Sequence, residues 1–308
     1  MTRFIVIVLL MIIISSCAQK DFASKYSFAE KTFVAKNYYY TLTNTSTVSV
    51  DVPDKKVVTN NTATLSFMYQ MSTDSAGNRI VKITYDKFHI EIKKNEADAE
   101  VYDSEKEGES SPMMDRVLAK IKGSIITITA DKAGKVLNTD GAKELTEKIA
   151  ATIPNYEDGS KEEIKKQLED FVGAKFIKEN ILQNLSLLPD STLNIGSTWT
   201  QKTDLAGDVP IDATVNYTLE AVENGVGTIH SFSDFKTTSA KPISFMGIIA
   251  TTDLKGKITG DYKALEKSGF LVSVDNDLNI SGTISVANKD VPVSIKITKK
   301  IRTKKLDK

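Results

Sequence analysis

The sequence predicts an α+β fold, predominantly antiparallel β, in which a curved sheet or half-barrel carries a central helical insert packed on one face. Three observations predict it. Apolar and polar residues alternate with period two from about Tyr38 to Ile92 and again after Trp199, and the period lengthens to that of a helix in between. One strand also switches the parity of its apolar residues partway along. Two strand blocks around a run of helices indicate an antiparallel sheet with the helices gathered on one face.

The chain opens with Met1-Thr2-Arg3 and an apolar run, Phe4 to Ile14, followed by Ser15 and Ser16. One positive charge, a short apolar stretch and small residues are the parts of a secretory signal. The run is shorter than the roughly 20 residues a spanning helix needs. Ile14-Ser15-Ser16-Cys17 resembles the lipobox of bacterial lipoproteins, which implies cleavage between Ser16 and Cys17 and lipidation, palmitate included, at Cys17. Cys17 is the only cysteine, so an intramolecular disulfide is excluded. A multiply acylated cysteine holds firmly, because each buried methylene contributes about 0.8 kcal/mol and a single chain gives only reversible attachment. The expected organisation is a signal peptide over 1–16, a lipidated N-terminus and tether over 17–33, and one β-rich domain over 34–308 with its helical insert at about 113–187. Gln19-Lys20-Asp21 in the tether is similar to the charged signal that follows the lipidated cysteine in surface-exported lipoproteins of the Bacteroidota.

Within the domain, a Thr/Val-rich strand runs from Tyr38-Tyr39-Tyr40 to Val52, and a second spans Thr62 to Met71. Asp74-Ser75-Ala76-Gly77-Asn78 supplies a hairpin turn into a third. There Val81, Ile83 and Tyr85 share one parity and Phe88, Ile90 and Ile92 the other. A one-residue slip reverses which face is buried, so a β-bulge or bend is expected near Asp86-Lys87. Met114, Val117, Leu118 and Ile121 then mark a helix after Pro112. Ile126 and Ile128 begin a hairpin through Asp131-Lys132-Ala133-Gly134, and Leu145, Ile149 and Ile153 mark a second helix closed by Pro154. Ser160-Lys161-Glu162-Glu163 is a capping box opening further helix to about Leu187. Strands resume after Trp199, with Val215, Tyr217, Leu219 and Ala221 on one face, then Leu254, Ile258 and Tyr262, then Leu278, Ile280, Ile284 and Val286. Val291, Val293, Ile295 and Ile297 alternate cleanly, and Pro292 places that strand at an edge. Gly256, Gly260 and Gly282 mark places where the sheet curls or a neighbour approaches the backbone.

This layout is similar, as architecture only, to the half-barrel lipoproteins that carry lipids across the periplasm. Val81-Lys82-Ile83-Thr84-Tyr85-Asp86-Lys87, Tyr102-Asp103-Ser104, Asp131 to Leu137, Leu187-Leu188-Pro189 and Gly196-Ser197-Thr198-Trp199, taken in order, resemble an uncharacterised lipoprotein family of the Bacteroidota. That resemblance implies location and fold, and carries over no catalytic residue.

Searches for chemistry point away from an enzyme. His89 and His230 are the only histidines, both in predicted strands, and zinc-ligand spacing is lacking. Ser233-Asp234-Phe235-Lys236 matches Ser-x-x-Lys without a companion Lys-Thr-Gly. Asp275-Asn276-Asp277 starts like a calcium loop, yet Ile280 and Val286 occupy its glycine and glutamate positions. No catalytic residue, metal site or cofactor is assigned. Asp74-Ser75-Ala76 and Asp190-Ser191-Thr192 resemble the O-glycosylation acceptor of exported Bacteroidota proteins, which makes Ser75 and Ser191 open candidates.

Removing residues 1–16 takes away Arg3 and leaves 39 basic against 40 acidic groups, a balance with no electrostatic footprint for nucleic acid. The expected partners are a membrane, through the N-terminal lipid, and either a hydrophobic ligand or another envelope protein. The expected location is the cell envelope, at the outer membrane, with its face left open. Two functions remain: a membrane-anchored lipoprotein that binds a lipid or other hydrophobic ligand, and a non-catalytic envelope scaffold.

Overall fold

The computed structural model describes residues 24–28, 36–52, 55–106, 108, 111–131, 136–151, 187–189, 191–204, 212–237, 243–245, 248–286 and 289–306. The signal and tether positions Ser16 and Cys17, the capping box at Ser160 and the helix expected to follow it lie outside them. The described part is mostly one open, curved antiparallel sheet with two short helices.

The strands are β1 (Lys36–Val52), β2 (Lys55–Thr73), β3 (Arg79–Lys94), β4 (Glu100–Asp103), β5 (Ile125–Ala130), β6 (Val136–Asp140), β7 (Thr198–Asp204), β8 (Asp212–Glu223), β9 (Val226–Lys236), β10 (Ile243–Phe245), β11 (Ile248–Leu265), β12 (Leu271–Val286) and β13 (Lys289–Lys305). The helices are α1 (Met113–Ile121) and α2 (Ala142–Ala150). Their order across the sheet is β6-β5-β3-β2-β1-β13-β12-β11-β9-β8-β7, with β4 beside β3 and β10 beside β11. Among the described residues no ladder joins β6 to β7, so the sheet does not close. The two strand blocks meet at its centre, where β1 pairs β13 from Tyr38 and Lys305 to Val50 and Val293.

Pairing register follows the alternation of the sequence. On one face β1 and β2 set threonines, serines and asparagines opposite each other; Thr47 Oγ1, for example, donates to Asn60 Oδ1 at 2.8 Å. On the same face Arg302 reaches Asp275 through two contacts at 2.7 and 2.8 Å, and the Thr298 hydroxyl donates to Asp277. The other face carries Tyr38, Tyr40, Leu42, Leu65, Phe67, Tyr69, Val81, Ile83 and Ile301, all buried. Here Tyr40 stacks on Phe67 at 4.6 Å and Tyr38 on Phe270 at 4.4 Å. Such ring pairs contribute about 0.5–1.5 kcal/mol beyond the area they bury.

The bulge expected near Asp86-Lys87 is present. Ser66 pairs with Lys87 and Phe67 with Tyr85, which leaves Asp86 as the extra residue. The slip keeps Phe88 on the face already occupied by Tyr85, and both are buried. Three expectations are corrected. Val215, Tyr217 and Leu219 share the apolar face, but a register shift between Leu219 and Ala221 sends Ala221 opposite Thr228 and lets Val222 take its place. β13 is central, because the strand that pairs with it on the far side is the first of the other block. Pro292 is nevertheless tolerated, since the β1 ladder stops at Val293 and Pro292 has a ladder partner only in Thr283. Met114 does not join the buried stripe of α1: it is 40% exposed, and Val117, Leu118, Ala119 and Ile121 are buried instead.

α1 is tied to the sheet by Asp115, whose Oδ1 accepts the Asp103 amide at 2.7 Å where β4 ends. Leu145 and Ile149 of α2 join the same core. The helical part of the described insert is thus two helices of nine residues each, separated by the β5–β6 hairpin.

Candidate functional site

The apolar face has two parts. Its first, larger part is the core that α1, α2, Phe28, Leu187, Leu188, Leu193 and Phe270 complete. Several of these segments come from far along the chain, held by local contacts: Tyr26 and Leu193 exchange backbone hydrogen bonds, and the Leu187 carbonyl accepts from both Trp199 Nε1 at 2.9 Å and Gln201 Nε2 at 3.0 Å. Trp199 also stacks on Tyr217, with ring centroids 5.6 Å apart.

The second part lies toward the other end of the long strands. Leu254, Ile280, Ile284 and Val293 are 1 to 8% exposed and form their own cluster, with Val50, Phe235, Leu278, Val286 and Ile295 packed against it. Cross-strand register sets these side chains in rows. Phe235, Gly256, Ile280, Ile295 and Val48 make one row, and Leu254, Gly282, Val293 and Val50 the next. From Leu278 to Ile284 the rows extend roughly 20 Å at about 3.3 Å per residue. Phe235 and Leu278 also touch the main core, so the two clusters are continuous there. A depression of about 570 Å³ crosses the Phe235 row; Phe235, Gly256, Ile280 and Ile295 of its lining share the apolar parity, while Asp234, Lys255, Lys257, Ser281 and Lys296 belong to the polar one, so it is not a groove of the apolar cluster alone.

The three glycines singled out from sequence all lie here. A Cβ on Gly256 would collide with the Phe235 ring, and one on Gly282 with the Asp253 carbonyl. At Gly260 a Cβ would lie 3.0 Å from each of Ser231 Oγ, Asn276 Oδ1 and the Tyr262 ring, so this position too is closely packed. Gly260 pairs with both residues, and Lys299 and Asn44 continue the row, so a polar belt crosses the apolar face between its two parts. Ser231 is fully buried. Neither its hydroxyl nor Asn276 Oδ1 has a hydrogen-bond partner of ordinary geometry. Ser231 lies close enough to the Tyr262 phenol to oppose, together with Tyr217, the upward pKa shift that burial imposes on Tyr262. Buried polar groups are nearly always paired, so two such atoms leaning toward one glycine need an explanation.

The histidines make no catalytic arrangement. His89 Nδ1 stands 3.1 Å from Asp103 Oδ2 and His230 Nδ1 2.9 Å from Asp261 Oδ1, each pair separate from the other on the polar side of the sheet. Burial alone would raise the Asp103 carboxyl, but the Glu105 amide, His89 and Lys87 together draw it below the ordinary value. Ser233 and Lys236 stand on opposite faces: the buried Ser233 hydroxyl donates to the Thr214 carbonyl at 2.7 Å, while Lys236 lies 3.7 Å from Asp253. Asp275 and Asp277 engage Arg302 and Thr298. Among the described residues no three His, Cys, Asp or Glu side chains come together as a metal site, and no helix is long and apolar enough to cross a membrane. Ser75 and Ser191 are both exposed. Ser75 sits in a turn held by Asp74, whose Oδ1 accepts the Ala76 and Asn78 amides.

Fold and site together define an open antiparallel-sheet protein with one hydrated face and one apolar face divided by a polar belt. A family model described as a family of unknown function (DUF6263) matches residues 76–271, more than half of the chain, and the protein belongs to that family. No curated protein matches it. Among solved structures it is similar to the chain of "Lipid-protein interactions in lipovitellin", at 11% identity and a TM-score of 0.48, over 87% of this chain and 25% of that one. It is also similar to the COG4313 outer membrane channel from Pseudomonas putida F1, at 6% identity and a TM-score of 0.21, over 92% and 98% of the two chains. The chain thus spans a quarter of the lipovitellin chain, and neither likeness bears on what it binds.

Proposed function

We propose that this protein is an exported lipoprotein, anchored at Cys17 to the outer membrane of its cell, that holds a lipid-like ligand against the second apolar cluster. The observation that carries the reading is the partly exposed apolar rim of the second cluster, Val50, Phe235, Leu278, Val286 and Ile295, which packs on the buried Leu254, Ile280, Ile284 and Val293 away from the helices that complete the main core. Its rows are long enough to lay down one acyl chain, given that a whole bilayer has a hydrocarbon core of about 30 Å. Each methylene transferred there from water contributes about 0.8 kcal/mol. The lipobox-like sequence supports the location, since a tether at residue 17 keeps the sheet beside a membrane that supplies such ligands.

Native mass spectrometry of the protein purified from an envelope-containing host tests this. An added mass released as lipid on denaturation is the expected result. A bare acylated polypeptide would overturn the ligand reading and leave the scaffold, for which cross-linking to an envelope protein is the matching measurement.

A further inference from the structure

We propose that the polar face carries a site of its own, for a phosphate-bearing saccharide, in the depression bounded by Lys255, Lys257 and Lys296. It lies on the face opposite the apolar rim and stands independently of the ligand reading above. Strand register places it. Two polar rows flank the Phe235 row, with Asp234, Lys257, Asn279 and Lys296 on one side and Lys255, Ser281 and Ser294 on the other, and both line the depression. These flanking residues are all exposed, whereas Ile280 in the row between them is buried, and Leu254, Ile258 and Leu278 of the next apolar rows take no part in the lining. The depression therefore opens on the polar face, over the backbone of the Phe235 row.

Its shape is a trough along β12. Asn279 and Ser281 form the floor, with Lys255 and Lys257 of β11 on one side and Ser294 and Lys296 of β13 on the other. β11 and β13 stand roughly 10 Å apart at about 4.8 Å per strand, a gap that lysine stems close from both sides. Among the described residues none of the three ammoniums forms an ion pair with a carboxylate. Lys257 Nζ lies 4.8 Å from the centre of the exposed Phe232 ring, Asp253 is engaged by Lys236 at 3.7 Å, and Asp277 accepts the Thr298 hydroxyl at 2.6 Å. Asp234 is the one acid in the lining.

These groups select the ligand. Three ammoniums against one carboxylate leave positive charge, and a phosphate ester supplies close to two negative charges and three acceptor oxygens that meet donors from both walls. A carboxylate brings one charge and two oxygens. Asp234 only accepts, so the rest of the ligand must donate beside it, while Ser281, Ser294 and Asn279 both donate and accept. Hydroxyls do both, which adds a saccharide to the phosphate. The apolar side chains point to the other face, so an acyl chain on that phosphate has no surface of its kind to lie on.

The test titrates the intact protein in non-ionic detergent with glucose 6-phosphate, glucose and dihexanoylphosphatidylglycerol, read by calorimetry. Glucose 6-phosphate should bind at least about tenfold more tightly than glucose, as a charge-assisted contact implies, and more weakly as salt rises. Lys255→Gln and Lys296→Gln should each weaken it by about tenfold, while Lys300→Gln, on the same face outside the trough, should leave it unchanged. Equal losses in all three variants would overturn the site in favour of diffuse surface charge. Binding of the short-chain lipid alone would overturn the saccharide and assign the trough to a lipid headgroup, and equal affinity for glucose and its phosphate, or no binding of any probe, would overturn the proposal outright. The apolar-ligand reading is untouched by each of these outcomes.

Discussion

The Tyr39 hydroxyl on β1 donates a 2.6 Å hydrogen bond to Asp86 Oδ2 on β3, reaching past the intervening strand to the one residue that β3 has in excess. The bond fixes the bulge, and the bulge decides which residues of β3 reach the core. Burial and the Asp86 hydrogen bond both push the Tyr39 phenol above its ordinary pKa, as expected of a donor whose proton is held by a carboxylate.

Asp86→Ala should therefore destabilise the protein by about 1–2 kcal/mol, the range for a hydrogen bond to a charged group at a partly hydrated site. Asp86→Asn, which keeps an acceptor, should lose less. Urea denaturation of the three proteins measures the order, and equal midpoints for wild type and Asp86→Ala would show that the bulge holds without Tyr39.

Burial raises the phenols of Tyr69, Tyr85 and Tyr217 far above their ordinary value, and those of Tyr38 and Tyr262 in the same direction. Groups with a raised folded pKa contribute stability that is fully present below the unfolded value, about 10, and lost as pH climbs toward the folded one. Stability should be flat in this respect at neutral pH and fall above pH 10. In a spectrophotometric titration these tyrosines should ionise together with loss of the far-ultraviolet β signal. Smooth ionisation of all ten tyrosines near pH 10 in a folded protein would contradict their burial.

Phe235 lies over the bare backbone of Gly256, and the Asn279 carbonyl closes the other side of that position at 2.6 Å from a would-be Cβ. Gly256→Val should cost about 1–3 kcal/mol through overpacking. Combined with Phe235→Ala it should cost less than the two single changes added together, because the removed ring vacates the space the valine needs. Additive losses in a double-mutant cycle would mean that Asn279, and not the ring, sets the constraint.

The alternation of apolar and polar residues carried much of this fold. Period two located the long strands, and the parity switch between Tyr85 and Phe88 located the bulge, because a sheet with one dry face tolerates only one register. Period 3.6 located α1 and α2 for the same reason, since a helix on a sheet must bury one stripe. The first part of β2, Lys55 to Asn61, was not legible: its only apolar residues, Val57 and Val58, are adjacent and so fall on opposite faces, and it is a strand because β1, and β3 from Thr59 on, supply its hydrogen bonds. Nor was the central place of β13 legible, since pairing between the first and last strands depends on contacts more than 240 residues apart that no local pattern records.

Within an unbroken strand the sequence by itself determined which residues face the core and which face water, because side-chain direction follows from local geometry; Ala221, beyond a register shift, is where that rule failed. Only the tertiary structure decided which rows of different strands lie side by side. Ser231 and Asn276 are unremarkable where they stand in the sequence, and Gly260 stands out only as a glycine inside a strand pattern. They form a polar notch in an apolar face only because β9, β11 and β12 pair in one register, and the free energy that fixes that register is spread over the whole ladder.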